Sequence, residues 1–217
     1  MNDNYVENLK KVIKEMNNSL EDIPLNLVIE SLTNHKIIPF NPNEIEDKSL
    51  LSDLINIANF AVLKINKKGI SKSRPNEVGN AIESFVKESL MHYGYDAYTP
   101  NTKDGSKKAS GYPDIEFIDK YERINYLECK TYNEETIDST LRSFYLSPSK
   151  NSKITKDAHH FIISFEIYNS SSIGKSNIYK CNNWKILSID KLLVNIKYEF
   201  NSNNPRLYSK EMVIAET

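Results

Sequence analysis

The sequence is poor in the residues that carry most cofactor and phosphate-loop chemistry: 217 residues include two cysteines, four histidines, six glycines and one tryptophan. Cys129 and Cys181 have no metal-knuckle spacing and cannot build a disulfide framework, so both are expected as buried thiols in a reducing compartment. None of the glycines falls into the spacing of a phosphate-cradling loop, and no serine stands in a nucleophile-elbow context. Nor is there a run approaching the roughly 20 apolar residues that a membrane span requires. The opening MNDNYVENLKK lacks both an apolar core and a small-residue cleavage site, so a cytoplasmic protein is expected. Charge is also nearly balanced: 28 basic against 29 acidic residues leave a formal charge of -1, which announces no polyanionic partner for the chain as a whole.

What is present is the composition of a globular protein, with 39% apolar and 26% charged residues. Tyr5, Leu9, Val12, Ile13 and Met16 recur at helical spacing over 4–17, and a second helix is expected over 25–33. Prolines and Asn/Asp residues interrupt 36–48 before a longer helix over 48–65. After KKGISKSRP, the residues Val78, Ile82, Phe85, Val86 and Leu90 form one apolar stripe on a helix over 76–92 that ends near Gly94. The period then shortens to that of strands. Residues 114–118 and 124–131 predict an antiparallel hairpin around DKYER, and 160–168 and 184–189 predict further strands. Between them, 135–147 reads as helix-like or irregular, with a short helix over 190–193 and an extended run over 194–200. The expected fold class is α/β, a mixed sheet flanked by helices with an N-terminal helical subregion. The expected division is a helical subregion 1–65 and a core 66–217, within one compact domain.

One stretch, GYPDIEFIDKYERINYLECKTYN, concentrates charge where strands are expected. Asp114 follows Pro113, a residue that favours a strand start. Glu128 and Lys130 are two apart, so on a strand they share a face while Leu127 and Cys129 turn to the other. Charged groups on such a face are costly unless they pair or hold an ion. Carboxylate oxygens from Asp114 and Glu128, with the Cys129 backbone carbonyl, suit Mg2+, and an adjacent ammonium from Lys130 suits the charge that develops in phosphodiester hydrolysis. His159 and His160, adjacent on an extended segment, point opposite ways and are read as structural rather than as a metal pair.

Pro113-Asp114 followed by Glu128-Cys129-Lys130 resembles the signature of the PD-(D/E)XK nucleases, the superfamily that includes most type II restriction endonucleases. The resemblance covers about residues 72–200. It implies a restriction-endonuclease-like fold and Mg2+-dependent, site-specific hydrolysis of double-stranded DNA, with Asp114, Glu128 and Lys130 catalytic. It also implies a glutamate on the preceding helix near the metal, for which Glu83 is preferred to Glu77, and a homodimer paired in function with a DNA methyltransferase.

Basic residues gather at 64–74, 103–108 and 150–156, in loop-like stretches near the motif. As DNA contacts we single out Lys72, Arg74, Asn76, Lys107, Lys108, Arg142, Ser143, Tyr145, Lys150 and Lys153. Two other readings remain open at this point: a structure-selective, repair or defence nuclease of the same fold, and a DNA-binding module without catalysis.

Overall fold

The computed structural model describes residues 3–214 apart from 17, 19, 134, 136, 140, 141, 175, 200 and 208, and does not describe the side chains of Asp3, Asn76 and Ile173. The chain divides into two compact units, residues 24–192 and residues 1–23 with 193–217. The expected subregion 1–65 is therefore spread over both. Among the described residues no helix is long and apolar enough to cross a membrane.

The larger unit is built on six strands in the order β2-β7-β6-β5-β4-β3. These are β2 (Ile70–Lys72), β3 (Ala97–Tyr98), β4 (Ile115–Ile118), β5 (Ile124–Tyr132), β6 (His159–Ile173) and β7 (Ser176–Ser188). All neighbours are antiparallel except β5 and β6, which run parallel, so the sheet is mixed as expected. The β4–β5 hairpin sets Ile115 opposite Leu127 and Ile118 opposite Ile124. A parallel pair cannot be joined by a tight turn. Here residues 133–158 make the crossover, and their described part holds no α-helix: it is turn and coil apart from a 3-10 residue, Glu135, and a bridge from Ala158 to Ile37.

Helices α2 (Leu25–Thr33), α3 (Ile45–Lys68) and α4 (Gly79–His92) accompany the sheet. In α3, Leu50, Leu54, Ile57, Ala58, Ala61 and Ile65 recur every three or four residues and are all buried. Glu46 and Asp47 in its first turn and Lys67 and Lys68 in its last complement the helix dipole. It stops at Gly69, whose φ of 70° lies in the left-handed region open to glycine. The stripe expected on α4 is the buried one: Val78, Ile82, Phe85, Val86 and Leu90 join Ile115, Phe117, Leu127, Cys129, Phe161, Ile163 and Phe165 in a single core with α3. Complete burial of each large side chain contributes about 1.5–3 kcal/mol. α4 and β5 are therefore held by the same core.

Four differences from the sequence reading have simple causes. β6 continues to Ile173 and β7 starts at Ser176, because backbone ladder bonds extend the pair through NSSS and SNIYKCNN, polar stretches whose alternation is confined to Tyr179, Lys180 and Cys181. The helix expected at 190–193 is a turn that leads into β8 (Leu193–Val194), and of the extended run at 194–200 only the first residue is strand. The helix expected from 76 begins as a 3-10 turn, Pro75–Glu77, with α4 proper from Gly79. Strands β2 and β3, two or three residues long, are too short to show a period.

In the smaller unit, α1 (Asp3–Met16) forms where expected and leaves Tyr5, Leu9, Val12 and Ile13 exposed. β1 (Ile23–Pro24) pairs with β8, and Ile196 N donates to Leu20 O at 2.9 Å. A short helix, α5 (Asn204–Leu207), follows.

Candidate active site

The alternation of β5 does what its sequence demands: Leu127 and Cys129 enter the core, and Glu128 and Lys130 share the other face. Lys130 Nζ lies 2.7 Å from Glu128 Oε1. Asp114, one residue before β4, reaches across the hairpin so that its Oδ2 accepts the Cys129 backbone N–H at 2.9 Å. The three residues of the motif are thus brought together by one register.

The electrostatics are those of carboxylates crowded out of water. Burial raises the Glu128 carboxyl above its ordinary range, neighbouring Asp114 raises it further, and Lys130 opposes both. Asp114 is raised as well, first by burial and then by Glu83, against the pull of its Cys129 bond and of Lys130 and Lys153. Glu128 Oε2 is buried and has no hydrogen-bond partner among the described residues. A buried carboxylate oxygen without a donor costs free energy that a bound cation would offset.

Glu83, on α4, is tied to Lys87 at 2.5 Å, and Lys87 also donates to Thr99 Oγ1 at 2.6 Å. It is Glu83, not Glu77, whose charge acts on Asp114 and on the Cys129 thiol. The Cys129 thiol itself is buried on the core side of β5, and burial with the nearby Asp114 charge pushes it well above the ordinary thiol range. Among the described residues no group of three or more His, Cys, Asp and Glu side chains has the arrangement of a metal site. The donor set expected from sequence, two carboxylates and one carbonyl, suits an ion that keeps most of its waters.

The residues singled out as DNA contacts fall into distinct places. Tyr145 is half exposed beside the motif, its ring 5.9 Å from Lys130 Nζ and 4.3 Å from the Arg142 guanidinium. Ser143, Lys150, Lys107, Lys108 and Arg74 are exposed, and Lys72 is half-buried on β2, in register with Asn177. The side chain of Asn76 lies outside the described residues. Lys153 points inward: it is 3% exposed, and its Nζ donates to Gly111 O at 2.8 Å and Pro113 O at 3.1 Å. The two histidines are structural in their contacts. His160 Nδ1 shares a 2.6 Å hydrogen bond with Tyr112 Oη, and burial lowers its pKa to about 3. His159 Nδ1 lies 3.0 Å from Ile38 O.

A family model described as the type II restriction enzyme MjaV family matches residues 13–211. The chain is also 40% identical over 227 residues to the type II restriction enzyme MjaV of Methanocaldococcus jannaschii, covering 98% of this chain and 96% of that one. The chain belongs to the type II restriction enzyme MjaV family. Membership bears out the resemblance read from Pro113-Asp114 and Glu128-Cys129-Lys130, and with it an enzyme of the restriction endonuclease class. The family match begins well before residue 72, so it takes in α2, α3 and the last turn of α1, which the motif-based resemblance left outside.

Proposed function

We propose that this member of the MjaV family is a Mg2+-dependent endonuclease that cuts double-stranded DNA at a short specific site, with Asp114, Glu128 and Lys130 as its cleavage centre. The observation that carries the reading is Glu128 Oε2, a buried carboxylate oxygen without a partner among the described residues, beside a second carboxylate of raised pKa. Asp114, Glu128 and the Cys129 carbonyl are the groups to hold the ion. Magnesium bound there supplies a water of lowered pKa and neutralises charge on the scissile phosphate.

The chain's own residues do the rest. Lys130, fixed on Glu128, directs its ammonium to the non-bridging oxygen on which charge grows, and orients the attacking water. Water oxygen bonds to phosphorus, the P–O3′ bond breaks, and the leaving oxygen takes a proton, giving a 5′-phosphate and a 3′-hydroxyl. Glu83 acts through its charge on Asp114 and through Lys87. Lys153, held on the carbonyls of Gly111 and Pro113, is assigned to fixing the loop that presents Asp114 rather than to DNA. Arg142 and Tyr145, next to Lys130, are assigned to the phosphates that flank the cut. A symmetric site requires two such centres, hence a homodimer, and a host that makes this enzyme protects its own sites with a DNA methyltransferase.

Calorimetric titration with Ca2+, followed by thermal unfolding with and without Mg2+, tests the metal assignment separately from turnover. The wild-type protein is stabilised by either ion according to its occupancy, while Glu128→Gln is not. Equal stabilisation of both proteins removes Glu128 from the metal site.

A further inference from the structure

Acidic residues number 29 in 217, about one in every seven or eight, yet the three longest stretches without one are 54–76, 139–156 and 167–189. The second lies within the crossover that joins β5 to β6. The first and third are far apart in sequence but adjacent in the sheet, since Ile70 pairs with Tyr179 and Lys72 with Asn177. Sheet pairing therefore joins two acid-free segments into one surface.

The third stretch forms most of a long β6–β7 arm. Register places its root beside the cleavage centre: Lys130 pairs with Ser164, and Ser164 with Lys185, so Lys185 lies on the Lys130 face two strands away, about 10 Å. Lys185 Nζ sits 4.2 Å from the centroid of the Tyr132 ring. Farther out, Tyr179 and Cys181 are buried, and Lys180 alternates with them to the opposite side, in register with the exposed Tyr168. Ser170, Ser171 and Ser172 are exposed beyond that. The arm continues past the last residue of β5, so among the described residues β6 has no strand neighbour on that side there.

A solvated surface made only to keep a protein soluble mixes both signs of charge. Outward of Glu166, whose carboxylate accepts from the Asn183 side-chain amide at 2.7 Å, this one offers hydroxyl, amide and ammonium donors without a carboxylate, next to a phosphodiester-cleaving centre. That is the chemistry of a polyanion with groove edges to read. Resting on the reading above, we infer that the β6–β7 arm, together with β2, is a docking surface for duplex DNA, and that Lys180 and the exposed serines contact it beyond the cut phosphate.

The test uses the full chain and a labelled duplex of about 30 bp, with affinity measured in EDTA over a series of KCl concentrations. The variants are Lys180→Glu, Lys180→Arg and Ser171→Glu, each checked for an unchanged melting temperature. The wild type binds with a linear log–log dependence on salt; Lys180→Glu and Ser171→Glu weaken binding at least tenfold, and Lys180→Glu lowers the slope by about one. Lys180→Arg binds as the wild type does. If the wild type binds and both glutamate variants stay within twofold of it with the same slope, the arm is not the docking surface and the cleavage-centre assignment stands. A folded wild type that binds no duplex at any salt overturns both.

Discussion

Glu128 illustrates how a side chain can be badly placed for stability and well placed for chemistry. Its raised pKa means that the folded protein prefers the neutral carboxyl more than the unfolded chain does. Ionisation therefore costs stability above the folded pKa, and that cost is relieved as pH falls through it. His160 works the other way: it is held neutral, so stability is lost as the unfolded state gains a proton below about pH 6.5, down to its folded value near 3. The two effects separate when variant and wild type are compared over the same pH range. In EDTA, Glu128→Gln melts higher than the wild type at pH 8, and the difference shrinks as pH falls toward the ordinary carboxylate range; a lower or pH-independent difference contradicts the assigned cause. Lys153 makes a second prediction. Lys153→Met leaves two carbonyls without their donor and costs about 2–4 kcal/mol in urea unfolding, whereas the exposed Lys150→Met costs less than about 0.5 kcal/mol. Comparable losses for the two remove the anchoring role. Spacing alone made Asp114, Glu128 and Lys130 legible, because strand geometry fixes which residues share a face. The inward turn of Lys153 was not legible, since its partners are backbone carbonyls some 40 residues away in the chain, which leave no mark in side-chain pattern.

At the scale of elements, pattern was informative wherever an element buries an apolar face. The expected helix over 25–33 coincides with α2, and the hairpin 114–131 forms with the expected antiparallel pairing. It failed in the outer half of the β6–β7 arm, where serines and asparagines that would suit a loop equally well are held by ladder bonds and by side-chain bonds such as Ser172 Oγ to Asn177 Oδ1 at 2.7 Å. The turn at 190–193 has a related cause: four residues give no period by which to tell helix from turn. The shared core of α4 and β5 has a consequence that reaches the site. Ile82 and Leu90 on α4 are fully buried, so Leu90→Ala should cost about 2–5 kcal/mol in chemical unfolding. Ile82 lies one residue from Glu83, so Ile82→Val, a smaller cavity worth about 0.5–1.5 kcal/mol, should lower metal affinity as well as stability. A full-affinity Ile82→Val protein contradicts the placement of Glu83 as a determinant of Asp114.

For the whole molecule, composition said little: net charge near zero concealed acid-free segments that only the sheet brings together. Residues 1–23 and 193–217 form one compact unit, a grouping of the two ends of the chain that no local sequence pattern marks. The central claim, a metal-dependent cleavage centre of Asp114, Glu128 and Lys130, is tested most directly by incubating purified protein with long phage DNA and resolving the products on a gel. The account predicts discrete fragments with Mg2+, none in EDTA, and at least a thousandfold slower cleavage by folded Asp114→Asn and Lys130→Met proteins. The same fragments produced in EDTA, or at wild-type rate by either variant, would contradict it.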